Sequence, residues 1–322
     1  MGVAVSAALF AFLLASVDLR ELGHQLARTD WRWVVVGVVL GLAGLWARAR
    51  RWRWLFPPGA PPPSLLPAMM IGYMANNVLP LRAGEFVRIW VAARRFEAEG
   101  RGAASQAFWL VAATMVIERV LDSLAIVFML AVLVLTIPVP PVVEWGAGVL
   151  FAIDVIGVAV LVFVARAPEL GRRILLRLVG RWPRAAQALL GIFDVALRGL
   201  SGIRTPSHLP WVALWTLILW VLPAAGAWAL LRAVHLELPF VAGWTVMAFV
   251  GLGISVPSAP GYVGVWHWAA ALALGIFGAP ASVAVAYALL YHAASLVPVT
   301  LVGWVYLLRE HVSLGEARRA AL

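Results

Sequence analysis

The chain has 322 residues, 63% hydrophobic and 12% charged, with a mean hydropathy of +0.93. That charged share is about half that of a soluble domain, so a water-soluble fold is excluded and an all-α polytopic membrane protein is expected. Net charge is +10, every one of the 25 basic residues is Arg, and cysteine is absent. Disulfides, thiolate metal sites and cysteine nucleophiles are therefore excluded. The arginines fall in short segments between apolar runs, which argues for topology signals and lipid headgroups and against nucleic acid.

A span needs about 20 apolar residues. Candidate segments run over 2–17, 33–48, 65–80, 84–95, 104–137, 145–165, 209–231, 240–257, 261–278 and 284–308, and 1–322 reads as one transmembrane domain. Residues 3–17 lack a positive n-region and a small-residue cleavage site, so they read as an uncleaved first span. Residues 18–32 read as a loop, and Gly37 and Gly41 form a small-xxx-small pair suited to helix packing. The run RARRWRW (48–54) reads as a topology signal, with RWRW (51–54) as an interface anchor. Residues 84–95 are too short to cross, whereas 104–137 is too long for one simple span and fits a half-helix running into a full one.

Arginine-rich 48–54, 93–102 and 166–204 (eight Arg) all read as cytoplasmic, which places both termini in the cytoplasm. Residues 64–95 must then enter and leave on one side, with NNVLPLRAGEFVR (76–88) as their turn. GLGISVPSAPGYVGVWHW (251–268), broken by Pro257, Pro260, Gly261 and Gly264, is its counterpart in the other half. Paired Gly/Pro-interrupted segments in two halves mark the central site of a transporter built on inverted repeats. About eight spanning helices plus one or two re-entrant hairpins are expected; two kinked spans packed for shape remain the alternative. Within 166–208, Arg173, Arg177, Arg181 and Arg184 follow helical spacing between apolar residues, and Pro183 divides the segment into two amphipathic helices for the inner membrane surface.

Charges at membrane depth need partners, water or a function. The first cluster is Asn76, Asn77, Arg82, Glu85 and Arg88. Pro80 ends one segment, Gly84 allows the turn, and a helix starting near Glu85 offers free N–H groups beside Arg82, a setting for phosphate. Glu85 and Arg88 are spaced to pair on one face; a self-neutralised polar plug is the bland alternative. The second cluster is Glu118, Arg119 and Asp122, either a salt-bridge network or a proton or ion relay, with Arg119 a candidate partner for the lone acid Asp154. The third is Ser258, Gly261, Gly264 and His267, with His292 on the next span; these histidines read as hydrogen-bonded packing residues before they read as a switch. H-E-x-x-H, G-x-S-x-G and G-x-x-x-x-G-K do not occur in the sequence, so no metal site, cofactor or enzymatic role is expected. A membrane transferase using one acid near the surface stays open.

GYMANNVLPLRAGEFVRIW (72–90), ERVLD (118–122), PSAPGYVGVWHWA (257–269) and HAASLVPVTLVG (292–303) occur in this order. Together, over roughly residues 30–308, they resemble the lysylphosphatidylglycerol synthase transmembrane family of flippase-like membrane proteins. The resemblance implies a bacterial inner-membrane domain that moves lipid between leaflets, an aminoacylated anionic phospholipid in some relatives, with others accompanying glycolipid or hopanoid pathways. It places the family's polar motifs on Asn77, Pro80, Arg82, Gly84, Glu85 and Arg88, on Glu118, Arg119 and Asp122, and on Pro260, Gly261 and Gly264. The aminoacyl-transferring domain of bifunctional relatives has no counterpart in this sequence, so lipid synthesis is not expected. His267 stands where many members carry an acid. The expected function is translocation of a phosphate-bearing phospholipid or glycolipid with an anionic headgroup. The alternative is a scaffold for a lipid-linked glycosyltransferase or lipid-modifying enzyme, and a homo-oligomer is left open.

Overall fold

The computed structural model describes residues 2–310 apart from 59–61, 80–82, 102, 138, 140 and 255–258. Among the described residues all regular structure is helical. In chain order the helices are α1 (Gly2–Ala15), α2 (Leu19–Ala27), α3 (Trp31–Arg53), α4 (Leu66–Val78), α5 (Gly84–Ala98), α6 (Ala104–Thr136) and α7 (Pro141–Arg166). They continue with α8 (Pro168–Val179), α9 (Pro183–Arg204), α10 (Leu209–Ala233), α11 (Phe240–Ile254), a 3-10 turn at Pro260–Tyr262, α12 (Val265–Gly275) and α13 (Ala281–Arg309). Five of them, α3, α6, α7, α10 and α13, are long and apolar enough to cross a membrane. Of the remainder, α9 has 22 residues and the others 15 or fewer.

Two expectations are corrected here. Residues 18–32 are not all loop: Asp18 accepts from the Arg20 N–H at 2.7 Å and caps α2. The sequence D-L-R-E at 18–21 carries that signal, an Asn/Asp/Ser/Thr cap with Glu three positions on. Residues 104–136 form one unbroken 33-residue helix, not a half-helix and a full one. At 1.5 Å per residue it is about 50 Å long, well beyond the hydrocarbon thickness. Its first turns lie against α5 and α9.

A unit of one long helix, two short ones and a second long helix occurs twice, as α3–α6 and as α10–α13. The two leading helices run antiparallel along their length: the Asp30 N–H donates to Ala233 O at 2.9 Å, Gly37 meets Gly226, Gly44 meets Pro223, and Trp54 stacks on Trp211. Gly37 and Gly44 are the small residues that seat α3 on α10; a Cβ on Gly44 would lie 2.5 Å from Pro223 Cγ. Gly41 also meets α10 through its backbone, its N lying 3.6 Å from the position of a Gly226 Cβ, but a Cβ on Gly41 would meet nothing within 4 Å and the residue lines the interior cavity.

Both short pairs are antiparallel. In the first, Gly72 lies against Gly84 and Arg88, and Asn76 Oδ1 accepts from the Gly84 N–H at 2.9 Å. A Cβ on Gly84 would sit 2.0 Å from Gly72 O, so only glycine permits this approach. In the second, Gly253 faces Val265 and Ala269. Helices of 13, 15, 15 and 11 residues fall short of a crossing. Antiparallel pairing of such short helices makes a helical hairpin of each, rather than a kinked span. Their inner ends meet, with the position of a Gly261 Cβ 3.5 Å from Asn77 O.

Helices α8 and α9 are separate, as Pro183 foretold, and lie beside the ends of α6 and α7. Helix α1 packs on α12, where the Ala259 N–H donates to Ser6 Oγ at 3.0 Å and Phe10 meets the His267 ring.

Candidate functional site

The site grows from α6. Glu118, one turn before Asp122, is fully buried and takes a two-pronged contact from Arg88 of α5, with Nη1 to Oε1 at 3.0 Å and Nη2 to Oε2 at 2.6 Å. The same guanidinium lies over Trp52, 3.8 Å from the ring centroid, and the Trp52 indole N–H donates to Thr114 at 2.9 Å. Arg48 and Arg51 of α3 close the network from the opposite side. Arg51 meets Asp122 Oδ1 at 2.7 Å, and Arg48 donates to both Asp122 and Glu118. Arg119 reaches Glu118 at 3.2 Å, Asp122 at 3.6 Å and Glu85 at 3.6 Å. Four guanidiniums thus face three carboxylates, and the lattice carries one uncompensated positive charge. Buried pairs of this kind hold only when geometry and remaining hydrogen bonds are good. Even so, Arg51 Nε, Arg51 Nη1 and Arg88 Nε find no partner among the described residues.

A cavity of about 330 Å³ lies beside this lattice, lined by α3, α4, α5, α6, α10, α11, the 3-10 turn, α12 and α13. One part is polar, where Arg48, Arg119, Asp122, Glu85, Asn76 and Asn77 line it; the rest is largely apolar. Arg119 is its most open cation, with 43% of its side chain exposed against 13% for Arg48.

Among the expected site residues, Asn76, Asn77, Glu85, Arg119, Asp122 and Gly261 line the cavity. Gly84, Arg88, Glu118, Gly264 and His267 are buried and shape it from behind. Arg82, Pro80, Pro257 and Ser258 lie outside the described residues. Four pairings differ from expectation. Glu85 and Arg88 do not pair: Arg88 turns into the core to Glu118, and Glu85 meets Arg119. Arg119 does not pair with Asp154, whose Oδ2 is buried without a hydrogen-bond partner among the described residues. At the start of α5, where free N–H groups were expected, the Gly84 N–H is taken by Asn76. RWRW does not act as a uniform interface anchor, because Arg51 and Trp52 are completely buried.

Arg48 and Arg51 are the contribution that sequence reasoning missed. In RARRWR they are three apart on one face, whereas Arg50 and Arg53 point outward and are exposed. Helical spacing applied inside the basic run divides it into two inward and two outward arginines.

The second hairpin is fixed by its histidines. The Gly264 N–H donates to His267 Nδ1 at 3.2 Å, His267 Nε2 and His292 Nδ1 are 3.1 Å apart, and His292 Nε2 is 2.6 Å from Gly261 O. A carbonyl only accepts, so His292 Nε2 carries its proton and Nδ1 accepts from His267 Nε2. All four ring nitrogens are then used with both rings neutral. The chain clips the hairpin to α13 at Gly261 and Gly264, whose φ angles of +65° and +87° suit glycine.

No curated protein matches the chain, and no solved structure does. The family model for the lysylphosphatidylglycerol synthase TM region matches residues 1–303. The hairpins, the arginine–carboxylate lattice and the cavity are therefore features of a membrane domain of known kinship: the chain belongs to the lysylphosphatidylglycerol synthase transmembrane-region family.

Proposed function

We propose that the protein moves a phosphate-bearing lipid with an anionic headgroup between the leaflets of the cell membrane. The observation that carries this reading is the central cavity, cationic in one part and apolar in the rest, between the meeting ends of two hairpins. A lipid is amphiphilic in the same way. Its phosphate would be met by Arg119 and Arg48, and would supply the negative charge that the lattice lacks. Its acyl chains would stay on the apolar walls of α10 and α11. Asp122 and Glu85 already hold these guanidiniums, so the phosphate enters by exchange: it replaces a carboxylate partner and is released when the carboxylate returns. Arg88, Arg51 and Glu118, deeper in the protein, keep the exchanging groups in place. Both termini lie in the cytoplasm in this reading, with the arginine-rich ends of α3, α5, α7 and α9 on that side.

Mass spectrometry of lipids that co-purify with the protein tests the reading. Wild type retains a specific anionic lipid class, and Arg48→Gln/Arg119→Gln loses it. Equal, unselective lipid in both would reject the site and favour a scaffold for a lipid-modifying enzyme.

A further inference from the structure

A second groove lies between α6, α7 and α9 and shares no lining residue with the central cavity. Its volume is about 460 Å³. Leu121 and Leu124 of α6, Val158 and Leu161 of α7 and Leu200 of α9 give it apolar walls. Among the described residues, its charged lining residues are Arg166 and Arg204, in the last turns of α7 and α9. Neither forms an ion pair with a carboxylate among the described residues. Arg172 on the same surface does, reaching Asp194 at 2.6 Å and Glu169 at 3.4 Å.

Three close contacts frame the groove. Helices α6 and α7 approach at Gly157 and Val120. Helix α9 is seated on α6 where Gly199 meets Ala113, and Gly202 lies against the backbone carbonyls of Leu55 and Phe56. A Cβ on Gly202 would fall 2.1 Å from Leu55 O, so this end of α9 has little freedom and Arg204 is held beside the groove. From Arg166 to Val158 the wall of α7 extends for about 12 Å at 1.5 Å per residue, long enough for a substantial part of an acyl chain.

We propose that this groove is a resident site for an anionic phospholipid, distinct from the translocation cavity. One acyl chain lies along Leu121, Leu124, Val158 and Leu161, and the phosphate bridges Arg166 and Arg204. Two guanidiniums without carboxylate partners at the edge of an apolar groove select a negatively charged amphiphile over a zwitterionic one. The bound lipid ties the ends of α7 and α9 together, and the site does not depend on the translocator reading.

Native mass spectrometry of delipidated protein in detergent, titrated with phosphatidylglycerol or phosphatidylcholine, tests it. The protein binds phosphatidylglycerol more tightly than phosphatidylcholine, and Arg166→Gln/Arg204→Gln weakens the phosphatidylglycerol adduct by roughly tenfold. Leu161→Trp, which keeps both arginines and fills the groove, abolishes the same adduct. Arg48→Gln/Arg119→Gln leaves it in place, which separates this site from the central cavity. Unchanged phosphatidylglycerol binding in Arg166→Gln/Arg204→Gln, or in a folded Leu161→Trp protein, would overturn the proposal. So would equal affinity for the two lipids in wild type.

Discussion

Glu118 and Arg119 are neighbours in sequence with opposite assignments. Glu118 is fully buried among four guanidiniums, those of Arg48, Arg51, Arg88 and Arg119, whereas the Arg119 side chain is 43% exposed and lines the cavity. Removing one partner of a buried ion pair strands the other charge and costs about 3–5 kcal/mol. Glu118→Gln is therefore expected to lower the melting temperature in detergent sharply, while Arg119→Gln, partly exposed, melts close to wild type and loses lipid retention. Similar melting of the two variants would show that the lattice has no structural role. Much of this division was legible in the residues. ERVLD signalled charge at membrane depth, and Arg119 was within reach of Asp122, which it does contact. The partners of Glu118 were not legible, because Arg48, Arg51 and Arg88 come from helices 30 to 70 positions away. Nothing local distinguishes an arginine that closes a buried lattice from one that marks topology, apart from its helical face.

At the scale of elements, the glycines in the hairpins set what can be changed. Gly84→Ala brings a methyl against Gly72 O and Asn76 and forces the α4–α5 hairpin apart; loss of several degrees of melting temperature, or of the folded protein, is expected on size-exclusion chromatography. Gly41→Ala meets nothing within 4 Å and should fold normally. Comparable damage from both would mean that close approach does not explain the need for glycine at position 84. The positions of the hairpins were legible in sequence through Pro80, Gly84, Pro260, Gly261 and Gly264, since glycine and proline have local conformational consequences. The linkage of His267 to His292 was not, because 25 residues and the turn of the chain between α12 and α13 separate them. The neutral hydrogen-bonded chain they form agrees with a packing role. His292→Phe breaks it at two points and should loosen Gly261, measurable as faster proteolysis within 259–268.

At the scale of the whole molecule, eight of the thirteen helices of the described residues form two copies of one four-helix unit, with leading helices antiparallel. The sequence pointed to this through paired interrupted segments, whereas α2 and the unbroken α6 depended on capping and length that hydropathy does not report. The two units differ in their packing. Helix α13 lies along both α3 and α4, where Asn77 Nδ2 donates to Thr300 at 2.9 Å; its counterpart α6 packs on α11 but forms no comparable contact with α10. In transporters built on inverted repeats, access alternates as one unit moves against the other. On the proposed reading, the contact between α4 and α13 has to open during transport. The chain has no cysteine, so Asn77→Cys/Thr300→Cys supplies a single cross-link. The oxidised form should stop translocating and recover with reductant; transport at the wild-type rate while cross-linked would place the moving contact elsewhere.

The most direct measurement is lipid movement in reconstituted vesicles, read as the fraction of tail-labelled fluorescent phosphatidylglycerol that becomes accessible to an impermeant quencher over time. Wild-type protein is predicted to speed this well above protein-free vesicles, and Arg48→Gln/Arg119→Gln to slow it by roughly tenfold or more. Wild-type vesicles no faster than empty ones, or a double variant as fast as wild type, would contradict the account.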